Sequence, residues 1–251
     1  MSVLPSEFLT RPIAHRALHD RAAGRAENSR AAILAAITGD YGVELDLQLS
    51  ADGQAMVFHD YDLRRLTDES GAVRQRNAAA LEAIELTGGR EGIPTLAACL
   101  SLIGGRVPVL IELKDQDGGM GPDIGTLESA VARDLRGYSG PAAVMSFNPH
   151  SVARMAELVP DVARGMTTSG FSRDDWPTVP DARLEELREI PDFDRVGACF
   201  ISHAARDLDA APVARIKAAG YPVLCWTIRS SDAEVDARRI ADQVTFEGYA
   251  A

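Results

Sequence analysis

Cysteine is scarce in this chain and widely spread. Cys99, Cys199 and Cys225 sit in apolar surroundings with none of the short spacings of a zinc or redox site. A disulfide framework is excluded on that count, and the three read as reduced, buried thiols of a cytoplasmic protein. Positive charge is also short. Against 37 Asp and Glu there are only 26 Lys and Arg, a net charge of -11, which disfavours nucleic acid or an anionic membrane surface as the main partner. An anionic small substrate would have to be drawn in by a local cation. No apolar run is long enough to span a bilayer. The opening Met1-Ser2-Val3-Leu4-Pro5 lacks a basic region followed by an apolar core, so neither a secretory leader nor a stable membrane anchor is expected. Low-complexity segments and strong internal repeats are missing. So is a Gly-x-Gly-x-x-Gly turn after the first strand, which weakens a dinucleotide-binding reading.

What is present is a regular alternation. The chain has 251 residues, 46% of them hydrophobic, enough for a full core and the usual length of one barrel domain, residues 1–251. Strand-like runs fall at 12–16, 42–48, 107–114, 142–147, 163–168, 198–203, 221–228 and 244–246, with helical patterns between them. Helix starts are marked by Asn28 or Ser29, by Thr95 and by Asn148-Pro149, and stops by Gly39 and by Gly104-Gly105. Strands separated by helices mean parallel pairing with right-handed crossovers, so the spacing predicts an α/β fold, a (β/α)₈ TIM barrel. Residues 49–94 are too long for an ordinary loop and predict a small insertion subdomain after the second strand. No stretch remains for an eighth helix. The flank it would cover is expected to be closed by the N-terminal residues around Leu4 and Phe8, or by a second subunit in a homo-oligomer.

The second strand carries the strongest chemical signal. Val43, Leu45 and Leu47 alternate with Glu44, Asp46 and Gln48, so one face is apolar and the other presents two carboxylates. Burying two like charges side by side is costly without a cation, and carboxylate oxygens are what Mg²⁺ and Ca²⁺ prefer. Barrel sites lie at the carboxyl ends of the strands. Those ends hold His15 and Arg16, Glu44 and Asp46, Glu112 and Lys114, Ser146 and Phe147, His203, Trp226, and Thr245 with Glu247; His59 follows the second strand and can fold back over the same mouth. This set is what metal-assisted phosphodiester cleavage needs. Carboxylates hold an ion, Arg16 and Lys114 neutralise phosphate oxygens, and two imidazoles exchange protons. The readings of single residues stay open. Glu44 and Asp46 can pair with Arg16 or Lys114 in a site without metal, and His15 alone reads as a core histidine. His59 can simply cap the excursion. Phe147 and Trp226 suit a pocket wall or ordinary packing, His203 suits either a site or the core, and His150 reads as a surface residue. Glu27 is an outer group of the site or a helix-start charge. Glu247 and Arg229 can pair with each other or touch substrate. Arg64, Arg65, Arg74 and Arg76 read as a solvated face of the insertion or as guides of anionic substrate to the mouth.

Taken together and in order, His15-Arg16, Glu27-Asn28-Ser29, Glu44-Leu45-Asp46, His59-Asp60, Ile93-Pro94-Thr95-Leu96, Glu112-Leu113-Lys114 and Ser146-Phe147 resemble the glycerophosphodiester phosphodiesterase family. The resemblance runs from about Ile13 to Phe246. It implies that Glu44, Asp46 and Glu112 bind Ca²⁺ or Mg²⁺, that His15 and His59 are general base and acid, and that Arg16 and Lys114 meet the phosphate. It further implies a glycerophosphodiester substrate. A glycerol hydroxyl attacks the neighbouring phosphate, an alcohol leaves, and water opens the cyclic phosphate to glycerol 3-phosphate. The chain departs from the family pattern in places. Ala17 stands where glycine usually follows His-Arg, and Ala26-Glu27-Asn28-Ser29 replaces Pro-Glu-Asn-Thr. The tryptophan motif ends in Arg229 rather than asparagine, and Thr245-Phe246-Glu247 replaces Thr-Asp. His19 and His203 are also particular to this sequence. None of these removes a metal ligand or a proton-transfer group. They bear on the leaving group and its pocket.

Overall fold

The computed structural model describes residues 2–116 and 118–251. Its strands are β1 (Ile13–Ala14), β2 (Gly42–Leu49), β3 (Ala55–Val57), β4 (Val109–Leu113), β5 (Ala142–Ser146), β6 (Ala163–Thr168), β7 (Phe200–Ala204), β8 (Val223–Ile228) and β9 (Gln243–Phe246). All but β3 run parallel, in the order β1-β9-β8-β7-β6-β5-β4-β2, and β1 also pairs with β2. That last pairing closes the sheet into the expected (β/α)₈ barrel, which leaves no central edge unpaired.

Helices α1 (Glu7–Thr10), α2 (Arg30–Thr38), α3 (Ala78–Glu82), α4 (Leu96–Ile103), α5 (Thr126–Leu135), α6 (Pro149–Leu158), α7 (Asp181–Arg188), α8 (Ala211–Ala218) and α9 (Ser231–Ala237) fill the connections. Their starts follow local chemistry. Ser29 Oγ accepts the Ala32 N–H, Thr95 Oγ1 accepts that of Ala98, and Asn148 Oδ1 accepts that of His150 just after Pro149 enters α6. Asn28 is not the cap. It adopts φ +59° and turns its amide toward β2.

The pleat divides the core in two. Val43, Leu45 and Leu47 of β2 and Val109, Ile111 and Leu113 of β4 face outward into the layer shared with Ile33, Leu96, Leu100 and Val131 of the helices. Ile13, Leu110, Ala143, Phe200 and Leu224 point inward and fill the lower barrel. Leu4 and Phe8 belong to this inner cluster. They plug the amino end of the barrel and do not cover the flank beside β9, contrary to expectation. Residues beyond β9 cover it instead. Tyr249 packs on Phe246 at 5.5 Å between ring centroids and Tyr41 on its other side at 4.8 Å, while the Tyr249 hydroxyl reaches Glu234 at 3.0 Å and Tyr41 donates to the Ala251 carbonyl at 3.0 Å. No helix follows β9 among the described residues.

The excursion after β2 starts as a hairpin, with β3 antiparallel on β2 through Leu47↔Val57 and Leu49↔Ala55. It has an apolar centre of its own, built from Met56, Phe58, Leu63, Val73, Leu81, Leu86 and Ile93. The Phe58 N–H donates to the Asp46 carbonyl at 2.9 Å, and this bond brings His59 over the barrel mouth. Cys99, Cys199 and Cys225 are buried free thiols, and burial pushes Cys99 and Cys225 up to about 12. No helix among the described residues is long and apolar enough to cross a membrane.

Candidate active site

The carboxyl ends of the strands open on a cavity of about 970 Å³, lined by His15, Arg16, Glu44, Asp46, His59, Glu112 and Lys114 on one side and by Phe147, Trp176 and Trp226 on another. Nine of the ten side chains expected at the site meet here. Their convergence follows from register: Asp46 and Glu112 are direct partners on β2 and β4, and Glu44 stands two residues before Asp46 on the same face.

Glu44, Asp46 and Glu112 each offer a carboxylate oxygen, all within 4.8 Å of one another, and all three side chains are buried. Two cations stand among them. Lys114 Nζ lies 2.7 Å from Asp46 Oδ1 and 2.5 Å from Glu112 Oε1, and Arg16 Nε lies 3.5 Å from Asp46 Oδ2. Asn28 Nδ2 donates to Asp46 Oδ2 at 3.0 Å. Three carboxylates therefore face two cations, and the deficit falls on Glu44. The Arg16 backbone N–H donates to its Oε2 at 2.8 Å, but its Oε1 is buried with no hydrogen-bond partner among the described residues. The electrostatics agree. Burial, then the neighbouring charges of Asp46 and Glu112, push Glu44 well above the usual carboxylate range. Burial also opposes ionisation of Asp46, yet Lys114, His59, Arg16 and His15 hold it well below that range. Lys114 stays charged, because Asp46 and Glu112 outweigh its desolvation. An orphaned carboxylate oxygen beside two further carboxylates fits one more hard cation, and Mg²⁺ and Ca²⁺ both accept such an all-oxygen set.

Both imidazoles that line the cavity are anchored. His15 Nδ1 lies 2.6 Å from Glu247 Oε2, and His59 Nδ1 lies 2.6 Å from Asp60 Oδ1. Burial lowers the His15 pKa, the Glu247 hydrogen bond works against that, and the adjacent Arg16 lowers it further. Asp60 is gripped in turn by Arg65, Nε to Oδ2 at 2.6 Å and Nη2 to Oδ1 at 2.9 Å. Arg65 also binds Glu27, which accepts from Arg16 Nη1 at 2.7 Å. Glu27 thus braces Arg16 and is no member of the acidic triad.

His203 is the exception. It shares the outward parity of Ile201 on β7, whereas Ser202 and Ala204 line the cavity. Its Nδ1 meets Thr168 Oγ1 at 2.8 Å and its Nε2 lies 3.1 Å from the Asp207 carbonyl. Both ring nitrogens are engaged in the wall, so His203 is not a substrate group. Residues the sequence did not single out include Trp176, whose ring meets Phe147 at 4.8 Å, and Arg65 as the brace of Asp60. The aromatic wall is continuous: Phe147 also contacts Phe171 at 6.0 Å and Trp226 at 5.6 Å. Trp226 Nε1 donates to the Ser202 carbonyl at 3.0 Å, which fixes its ring.

Fold and site together define a barrel enzyme whose mouth combines an acidic triad, paired imidazoles and cations for an anionic ester. The model of the glycerophosphoryl diester phosphodiesterase family matches residues 15–246, and the chain belongs to that family of phosphoric diester hydrolases. YhdW of Bacillus subtilis (strain 168) is 28% identical to it over 196 residues, 75% of this chain and 74% of its own. An Oleispira antarctica phosphodiesterase, solved in complex with the product sn-glycerol-3-phosphate, superimposes with a TM-score of 0.77 at 25% identity, covering 96% of this chain and 93% of that one. A glycerophosphodiester phosphodiesterase from Parabacteroides distasonis shares the fold, with a TM-score of 0.71 at 22% identity over 93% of this chain and 91% of that one.

Proposed function

We propose that the protein hydrolyses glycerophosphodiesters to glycerol 3-phosphate and an alcohol through a cyclic phosphate, with His15 as general base and His59 as general acid. The observation that carries this reading is that His15 and His59 line one cavity with the acidic triad, each with Nδ1 held by a carboxylate at 2.6 Å. Arg16 and Lys114 face the phosphate oxygens. His15 accepts the proton of a glycerol hydroxyl as its oxygen bonds to phosphorus. His59 donates a proton to the departing alkoxide as the old P–O bond breaks. The second half runs in reverse: a water adds to phosphorus, its proton goes to the now neutral His59, and protonated His15 returns its proton to the ring oxygen that leaves. Glu44, Asp46 and Glu112 would hold Mg²⁺ or Ca²⁺, whose charge when bound polarises the phosphate and the attacking hydroxyl. The three unpaired, buried thiols support a cytoplasmic setting.

The wall of Phe147, Trp176 and Trp226 supports a second reading on the same machinery, in which the substrate is larger and lysophospholipid-like, with an acyl chain on its glycerol half. Product analysis separates the two. Glycerophosphocholine should give glycerol 3-phosphate with Mg²⁺ or Ca²⁺ and none with chelator, whereas turnover of lysophosphatidylcholine alone would favour the acylated substrate. Protein inert on every diester in both metals would favour a barrel that only binds an anion. His15→Ala and His59→Ala should each abolish turnover with fold and metal binding intact, and a normal rate in either ends that assignment.

A further inference from the structure

His15 begins the barrel and Glu247 ends it, 232 residues later, yet the two share the shortest contact that either makes. We propose that Glu247 is a positioning residue for His15. It holds the neutral ring as the Nδ1–H tautomer, so that Nε2 is the nitrogen that exchanges the proton. The inference rests on the acid–base reading of His15.

An ionised carboxylate only accepts hydrogen bonds. With Glu247 Oε2 at 2.6 Å, Nδ1 must carry the hydrogen, and Nε2 is left as the basic nitrogen of a ring that lines the cavity. The carboxylate is itself fixed. Arg229 Nε donates to Oε1 at 2.8 Å, leaving Oε2 for His15, and the Glu247 N–H donates to the Ile228 carbonyl at 2.9 Å, which ties the end of β9 to the end of β8. His19 Nε2 lies 3.5 Å from the same Oε2. Bonds from His15 and His19 hold Glu247 well below the usual carboxylate range. A second assembly of the same design stands on the excursion, where His59 is held by Asp60 and Asp60 by Arg65. Each imidazole therefore ends a chain of arginine, carboxylate and ring. The charged groups around His15 are Glu247, Arg16 and Asp46, with His19 and Arg229 behind Glu247. Arg16 disfavours an imidazolium at His15, and Glu247 offsets it. A carboxylate that only paired with Arg229 on the surface would need no imidazole, and its loss would leave the chemistry alone.

The test uses the whole protein with Glu247→Gln and Glu247→Ala. An amide can donate to Nδ1 and stabilise the wrong tautomer, so Glu247→Gln should lower kcat by roughly 100-fold or more while KM stays within about threefold. The acidic limb of the kcat/KM profile should move to lower pH in both variants, since the imidazolium loses its anion. Nitrogen-15 spectra of the His15 ring in chelator, assigned by comparison with His15→Ala, should show Nδ1–H in the parent and its loss in Glu247→Gln. Parent-like kcat in Glu247→Gln, or an unchanged His15 spectrum, overturns the proposal. If His15→Ala itself keeps turnover, the acid–base reading has failed instead, and the spectrum still decides whether Glu247 sets the tautomer.

Discussion

Lys114 stands within the acidic triad, its ammonium 2.7 Å from Asp46 Oδ1. It therefore holds buried carboxylates together, on top of the role toward phosphate proposed for it. Removing one partner of a buried pair costs about 3–5 kcal/mol, because the other is left uncompensated. Lys114→Met should lose stability of that order in chelator and recover much of it when Mg²⁺ or Ca²⁺ is added, with a larger metal-induced rise than the parent shows. Urea unfolding with and without metal reads this directly. Equal metal responses in variant and parent would mean that the ammonium does not offset the triad.

Glu44 predicts the opposite sign. Its Oε1 has no partner, and burial beside two further carboxylates opposes its ionisation, so the parent in chelator carries an unrelieved cost at this residue. Glu44→Gln keeps the shape and removes the charge. It should be more stable than the parent in chelator, by about 1 kcal/mol or more, and should bind metal far more weakly. Calorimetric titration with Ca²⁺ or Mg²⁺ alongside unfolding checks both halves. A variant destabilised in chelator would show that Glu44 is satisfied without an ion.

The sequence exposes some of this architecture and hides the rest for physical reasons. On β2 the inner face is polar and the outer face apolar, so parity alone aims Glu44 and Asp46 inward, and the same argument reaches Glu112 and Lys114. On β7 every residue from Phe200 to Ala204 is buried. Ser202 and His203 are both polar, so alternation cannot say which faces the mouth. Glu247 as the partner of His15 is a contact between chain ends, made only when β1 meets β9. Trp176 sits in the connection between β6 and α7, where no periodicity speaks. Leu4 and Phe8 were legible as apolar and buried, but an apolar residue fits a barrel bottom as well as a flank.

His203 links its burial to acid stability. Desolvation lowers its pKa below the ordinary value of 6.5, although Asp207 works the other way. As pH falls through about 6.5 the unfolded chain takes up the proton first. The unfolded state then binds more protons than the folded one, so this residue makes stability fall as pH drops from 7.5 toward 5.5. His203→Asn should flatten that part of the stability profile. It should leave kcat/KM within about threefold, under ~1 kcal/mol in the barrier, because the side chain lies outside the cavity. A profile as steep as the parent's assigns the loss to other groups. A collapse of kcat/KM with the fold intact would return His203 to the site.

Ala17 stands in a backbone conformation that suits glycine better than an L-residue. Arg16 and Ala17 have φ values of 53° and 63°, the left-handed region that costs an L-residue roughly 1–2 kcal/mol. This turn aims the Arg16 N–H at Glu44 Oε2 and the Ala17 N–H at the Glu44 carbonyl, at 2.8 and 3.0 Å. Ala17→Gly would relieve the strain. It would also surrender a buried methyl, worth about 0.8 kcal/mol, and loosen the unfolded chain by about 0.4–1 kcal/mol. The terms nearly cancel, so the variant should be within about 1 kcal/mol of the parent and fully active. Ala17→Val keeps a buried apolar side chain but puts a β-branched residue at positive φ, where it is a genuine outlier. It should cost about 2 kcal/mol or more and weaken metal binding by swinging the Arg16 N–H off Glu44. Unfolding and metal titration of the two variants decide the point: a valine variant as stable and as metal-competent as the glycine one would mean that this turn does not set the geometry of Glu44.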